Sequence, residues 1–323
     1  MKRQKLIHDL ALGITAVWLL AVGVAARDGS SPRSTATSNR PLAEVPFHLH
    51  QNAVIVPAVI NERDTVRLLL DTGWGPLALV SASTRRLGLA VSAAGVDGLS
   101  RAQVASLAIG DAIQLHPVVE VFPTEALAPL IGPYDGVLST AFFRDLVVQI
   151  DYPAGVVRFY RRSPVPPKPS PGSTGTSVPM VFSPQAGALP FTDSVFVDGR
   201  RVRALFDTGG AGAFVAMRRL VDRAQLRAIP DSGVAAGKGQ VGIGMLSGGT
   251  MVQRRVQFAQ VERIAVGSLA VDSPRVMLAP PQLEGDDWGH DLIIGYGFMR
   301  SYVVTFDYPG RRVTFTVASD RRH

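Results

Sequence analysis

The chain contains one strand-and-turn segment twice. Val66-Arg67-Leu68-Leu69-Leu70-Asp71-Thr72-Gly73 is matched 136 positions later by Val202-Arg203-Ala204-Leu205-Phe206-Asp207-Thr208-Gly209. Two further pairs follow in the same order. Val104–Gly110 matches Val261–Gly267 at an offset of 157, and Val147–Pro153 matches Val303–Pro309 at an offset of 156. Ordered matches at near-constant spacing identify an internal duplication. The offset widens after the first match, so the second copy carries an insertion between its Asp-Thr-Gly and its middle strand.

A length of 323 residues suits two such copies as lobes. The predicted organisation is a lobe over 44–161, a linker over 162–179 and a second lobe over 180–318. The linker is placed on Pro164, Pro166, Pro167, Pro169 and Pro171, which suit neither a sheet ladder nor a helix interior. Each lobe is expected to be mainly β. Apolar or β-branched runs bounded by turn residues predict strands at Val54–Ile60, Val66–Leu70, Val118–Phe122, Leu146–Ile150 and Val156–Tyr160. In the second copy they fall at Ser194–Val197, Val202–Phe206, Val256–Val261, Arg275–Leu278, Tyr302–Phe306 and Val313–Val317. Short helices are predicted at Ser83–Leu89 and Met217–Leu226.

Lys2, Arg3 and Lys5 precede an apolar run from Leu10 to Ala26. Residues 1–26 therefore read as an export signal, cleaved after Ala26, or as an uncleaved membrane anchor. Residues 27–43 read as a flexible tether. Both alternatives put the body outside the cytoplasm, in a periplasmic, secreted or anchored location. The chain has no cysteine, which excludes disulfides, thiolate metal sites and cysteine nucleophiles. Its net charge of +7 comes from arginines scattered along the whole length, so a dispersed basic surface is expected and no nucleic-acid partner.

The duplicated turn carries the chemistry. Asp71 and Asp207 each end a buried apolar run, where a carboxylate costs free energy unless something compensates it. The following Gly73 and Gly209 let the backbone turn back toward the carboxylate. Thr72 and Thr208 have hydroxyls that can hold the two loops together. Two carboxyls brought to one axis cannot both ionise easily, so they share a proton. Such a pair can take a proton from water and give one to a scissile amide.

On these residues the chain resembles the retropepsin-like and pepsin-like aspartic peptidases, in a form with both lobes on one chain. The resemblance spans about residues 47–317. It implies two retropepsin-like β-barrel lobes related by pseudo-twofold symmetry. It also implies an endopeptidase acting on a polypeptide substrate through a water held between Asp71 and Asp207, with no metal, no cofactor and no covalent intermediate. The expected state is a monomer forming an intramolecular pseudo-dimer. In that family an apolar-apolar-Gly motif passes behind each Asp-Thr-Gly loop. Asp291-Leu292-Ile293-Ile294-Gly295 fits it, whereas Asp135-Gly136-Val137-Leu138-Ser139 departs by ending in serine. The second-copy insertion supplies a candidate flap over about 237–250, with Gly242, Ile243 and Gly244 at its centre. Trp74 stands directly after the first Asp-Thr-Gly, where it either lines a substrate pocket or obstructs one.

Other motifs have plainer readings. Residues 237–242 fit GxGxxG without a surrounding βαβ unit. His48 and His50 lack a third ligand and read as surface residues. Asp286 and Asp287, beside Trp288 and His290, read as a solvated loop. Asp151 and Asp307, each before Tyr-Pro, read as turn residues. Two further uses of the same fold stay open: a peptide-binding module without turnover, and lobes that pair between molecules.

Overall fold

The computed structural model describes residues 40–95, 98–125, 132–161, 175–184, 187–229, 245–246, 250–251, 257–279 and 289–317. The N-terminal segment 1–26, most of the tether and nearly all of the proposed flap, including Gly242, Ile243 and Gly244, lie outside the described residues.

Apolar period-two patterning makes the strands that carry the aspartates. Val54, Val56, Ala58 and Ile60 face the main core, as do Val66, Leu68 and Leu70, while Ala53, Ile55 and Leu69 join a second cluster on the other face. Both faces are covered, which is why Leu68-Leu69-Leu70 reads as an unbroken apolar run. All three leucines are at most 1% exposed, so truncating any one to alanine costs about 2–5 kcal/mol.

The chain is mainly β. One nine-stranded sheet runs in the order Ser100–Gln103, Val118–Phe122, Ala78–Val80, Gly136–Ser139, Asp64–Asp71, Ala53–Ile60, Ser106–Ile109, Ala112–Leu115. His48–His50 adds to Ala53–Ile60. A second nine-stranded sheet runs Gln257–Gln260, Arg275–Leu278, Phe214–Ala216, Leu292–Ile294, Arg200–Phe206, Gly187–Val197, Arg263–Val266, Leu269–Asp272, with Val181–Ser183 added to Gly187–Val197. The strands matched in sequence hold matching places in the two orders. In the second sheet Val197 and Arg200 are joined by the two-residue turn Asp198-Gly199. Both turn residues have positive φ, which fits the right-handed twist of the flanking strands.

A six-stranded sheet takes strands from both halves, in the order Ala43–Pro46, Val156–Tyr160, Val147–Asp151, Tyr302–Asp307, Arg312–Val317, Gly175–Pro179. The halves meet where Val147–Asp151 runs antiparallel to Tyr302–Asp307. Gln149 sits opposite Thr305 at the middle of that pairing, and its amide lies 3.2 Å from the Thr305 hydroxyl. The main apolar core is continuous from Ala43 to Phe315.

Several sequence-based boundaries shift. Gly175–Pro179, assigned above to the linker, is an edge strand against Arg312–Val317, with Pro179 at its end, where a missing N–H is tolerated. The first helix is Ser81–Arg86. It ends early because Gly88 takes a positive φ and its N–H turns back to the Arg85 carbonyl. The second helix is Arg218–Arg223. The run 256–261 yields the strand Gln257–Gln260, and a separate strand, Arg263–Val266, follows it. Among the described residues, no helix is long and apolar enough to cross a membrane.

Candidate active site

The aspartates owe their positions to parallel strand pairs. Gly136–Ser139 lies parallel to the first aspartate strand, with Ser139 opposite Asp71. Leu292–Ile294 lies parallel to the second, and the Asp207 N–H donates to the Ile294 carbonyl at 2.9 Å. Each of these neighbouring strands begins after an aspartate that locks it in register. The Arg67 N–H donates to Asp135 Oδ2 at 2.8 Å, and the Arg203 N–H donates to Asp291 Oδ2 at 2.9 Å. Asp135 also accepts from the Ser83 hydroxyl and pairs with Arg86, while Asp291 pairs with Arg223 at 3.2 Å. Charge-assisted bonds to backbone N–H groups are among the stronger ones, so these two side chains fix where the aspartate strands end.

The two Asp-Thr-Gly loops grip one another. The Thr72 N–H donates to Thr208 Oγ1 at 3.0 Å, and the Thr208 N–H donates to Thr72 Oγ1 at 3.0 Å. The Thr72 hydroxyl donates to the Phe206 carbonyl at 2.8 Å, and the Thr208 hydroxyl to the Leu70 carbonyl at 2.7 Å. Both threonines are 0% exposed. Every polar atom of the two side chains is therefore satisfied by the opposite loop, as burial demands.

The grip brings Asp71 and Asp207 to one place, with each carboxyl lying against the glycine of the opposite loop. The Gly73 N–H donates to Asp71 Oδ1 at 2.8 Å, and the Gly209 N–H donates to Asp207 Oδ1 at 2.8 Å. The glycines are required by proximity. A Cβ on Gly73 would lie 2.6 Å from Asp207 Cγ, and one on Gly209 would lie 2.5 Å from Asp71 Oδ2.

The pair is electrostatically unequal. Burial, reinforced by the charge of Asp207, pushes the Asp71 carboxyl well above the usual carboxylate range. Burial also raises Asp207, but bonds from Asp71, Gly209 and Gly210 hold it lower. Asp207 receives an extra N–H from Gly210 at 3.0 Å, and it is partly exposed where Asp71 is buried. Burial raises both carboxyls, so the pair favours holding one proton between them. An arrangement of this kind can polarise and deprotonate a water lying between the two carboxyls.

Trp74 occupies the first-copy position that Gly210 holds in the second. Its ring packs edge-on to Phe122 at 6.0 Å, beside a cluster that includes Ile55, Leu69 and Val137, with Leu99 and Tyr134 at its margin. Trp74 is only partly buried.

Ser139 is accommodated by a hydrogen bond. At Gly295 an added Cβ would run into the carbonyl oxygens of Gly210 and Gly212. In the first copy the Ser139 hydroxyl instead donates to the Gly75 carbonyl at 2.8 Å. The hydroxyl also accepts from the Ala141 N–H at 3.3 Å, capping the short helix Thr140–Phe143.

Of the sequence-derived candidates, Asp71, Asp207, Thr72, Thr208, Gly73 and Gly209 converge here, while the Trp74 ring packs on Phe122. His48 stands apart, with Nε2 at 2.7 Å from the Tyr134 hydroxyl. No group of three or more His, Asp or Glu residues able to hold a metal ion occurs among the described residues. Asp151 and Asp307 behave as turn residues, accepting N–H bonds from Ala154 and Gly310 at 3.1 and 2.7 Å. Sequence reading missed the registering roles of Asp135 and Asp291, although both head a repeated motif. A scan of protein-family models finds no match to the chain, and no curated protein matches it.

Proposed function

We propose that the chain is an aspartic endopeptidase of the retropepsin-like kind, with two homologous lobes related by a pseudo-twofold axis at the threonine grip. The observation that carries this reading is the placement of the Asp71 and Asp207 carboxyls, each against the glycine of the opposite loop, between reciprocally bonded threonines. In this reading Asp207 takes the proton of the attacking water. Asp71 gives its proton to the substrate carbonyl oxygen as the tetrahedral diol forms. Collapse of the diol returns a proton to the leaving amine, and the pair is restored. The apolar cluster beside Trp74 receives a hydrophobic substrate side chain. The basic-then-apolar N-terminus supports export.

A second reading, peptide binding without turnover, is favoured by Trp74, whose bulk follows the first loop where the second has only Gly210. The two readings separate on one experiment. The full chain is incubated with an unfolded polypeptide between pH 3 and 8, and products are followed by mass spectrometry. The peptidase reading requires cleavage by the wild type and its loss, by at least about a hundredfold, in both Asp71→Asn and Asp207→Asn. Binding without cleavage selects the second reading, and equal cleavage by all three proteins removes the first.

A further inference from the structure

Two matched hairpins expose different chemistry. Ser106–Ile109 pairs with Ala112–Leu115 in the first half, and Arg263–Val266 pairs with Leu269–Asp272 in the second, in the same register. Ile109 opposes Ala112 as Val266 opposes Leu269, and Ser106 opposes Leu115 as Arg263 opposes Asp272. In both outer strands the second and fourth residues are exposed and share one face. In the first half these are Ile113 and Leu115, 60% and 67% exposed. In the second they are Ala270 and Asp272, and Asp272 pairs with Arg263 at 2.8 Å. Val118, also exposed, opens the next strand of the first half, where the second half has Arg275 over the Phe258 ring.

The fold does not require apolar side chains at these places, because the second half builds the same hairpin without them. Ala112–Leu115 is also the last strand of its sheet and carries no charge, whereas charge is a common protection of such an edge. Clustered apolar side chains left exposed on an edge of this kind mark an interaction surface.

The surface adjoins the place where the described chain begins. The Leu42 N–H donates to the Phe159 carbonyl at 2.8 Å, and the Leu42 carbonyl accepts from the Asp111 N–H at 2.8 Å, one residue ahead of Ala112. In the sequence, only residues 27–39 separate this entry from the apolar run Leu10–Ala26 and its preceding Lys2, Arg3 and Lys5. A chain of that length reaches about 45 Å fully extended and averages about 20 Å as a flexible coil. Arg27, Arg33 and Arg40 against Asp28 make the stretch basic, which favours an anionic lipid surface.

We propose that the face carrying Ile113, Leu115 and Val118 rests on the lipid surface to which residues 1–26 anchor the chain. The proposal takes the anchor alternative for residues 1–26 and is independent of the peptidase reading. A second copy of the chain is the competing apolar partner, and area decides against it. Three side chains fall far short of the roughly 800 Å² that each side of a stable protein interface buries. A bilayer kept within reach by an anchor needs no such area, because the contact forms at high effective concentration and adds a second, weak apolar signal to the first. The matched face of the second half, with Ala270, Asp272 and Arg275, stays in water.

The chain has no cysteine, so one introduced cysteine takes a label at one site. Ile113→Cys and Ala270→Cys, each in the full chain, are labelled with the same polarity-sensitive fluorophore. They are reconstituted into vesicles of phosphatidylcholine and phosphatidylglycerol, with or without brominated acyl chains. Flotation of the vesicles shows whether the chain is anchored. A side chain sunk about 5–10 Å into the headgroup boundary comes within reach of the bromines, so quenching at 113 is expected to exceed that at 270 at least about twofold. Adding Leu115→Asp, the residue of the second half, to the chain labelled at 113 is expected to bring its quenching down to the level at 270. Equal quenching at the two sites in a chain that floats overturns the inference and leaves the anchor reading standing. A blue shift at 113 that follows protein density in the vesicle, without quenching by bromine, identifies a second copy as the occupant and also overturns it. A chain that does not float removes the anchor and the inference with it. Peptide cleavage enters none of these outcomes, so the peptidase reading stands or falls separately.

Discussion

Thr72 and Thr208 each accept the other's backbone N–H at 3.0 Å, so either loop is complete only when the other is present. Each hydroxyl also donates across the interface, to Phe206 or to Leu70. Thr72→Val or Thr208→Val leaves a buried N–H and a buried carbonyl without partners. The expected loss is about 2–4 kcal/mol of stability for either variant, from two unsatisfied groups. Thr→Ser at the same positions keeps the oxygen and costs about 1 kcal/mol or less. The two hydroxyls serve different partners, so the double Val variant is expected to lose about the sum of the two single losses, and any departure from that sum reads the coupling between the loops. Denaturant titration of the five variants checks this.

Gly73→Ala and Gly209→Ala each drive a methyl group into the carboxyl of the opposite aspartate. In the proposed peptidase reading the displaced acid is the reacting group, so a shift of about 1 Å is expected to lower kcat about a hundredfold. Secondary structure measured by circular dichroism should remain. Loss of activity with retained fold is the predicted result.

The two copies differ at one backing position, and the difference makes an unequal pair of variants. Ser139→Ala removes one hydrogen bond to Gly75, whose carbonyl still accepts from the Ala141 N–H at 3.1 Å, so about 1 kcal/mol is lost. Gly295→Ala pushes Cβ into two backbone carbonyls that have no room to move. It is expected to cost about 3 kcal/mol or more, and to disturb the second aspartate loop. Thermal unfolding of both proteins reads the ranking.

Stability should depend on Asp71 ionisation with a definite sign. Its folded-state pKa lies well above that of the unfolded chain. The associated stability is therefore fully present below about pH 4, where the unfolded carboxyl is still protonated. It is lost as pH rises toward and through the folded value, because the unfolded state releases its proton first. Asp71→Asn removes that dependence, so the variant gains stability relative to the wild type as pH increases from about 4. Urea midpoints measured across this range for both proteins give the comparison.

Much of this site was legible in the sequence because its parts are local. A buried strand that ends in Asp-Thr-Gly announces its carboxylate, and the same words repeated 136 residues on announce a partner. Trp74 was visible for the same reason. Ser139 was visible only as a departure, since the Gly75 carbonyl that accepts its hydroxyl is set by tertiary register. Tyr152 and Tyr308 illustrate the limit further. Both stand in an evident Asp-Tyr-Pro turn, and the turn accounts for Asp151 and Asp307. Where the tyrosines point depends on the pairing of Val147–Asp151 with Tyr302–Asp307, across 156 residues of chain. No local pattern encodes that pairing. The strand Gly175–Pro179 was missed because its proline count suggested a linker and its ladder partner, Arg312–Val317, lies at the far end of the sequence.

The central claim is that one hydrogen is held between Asp71 and Asp207, and a difference proton titration measures it. The titration curve of the Asp71→Asn/Asp207→Asn protein is subtracted from that of the wild type between pH 3 and 9. Two well-separated steps are predicted, the upper one far above the usual carboxylate range of about pH 4. Release of both protons together near pH 4 would contradict the account, because two independent acids cannot divide the work of activating a water.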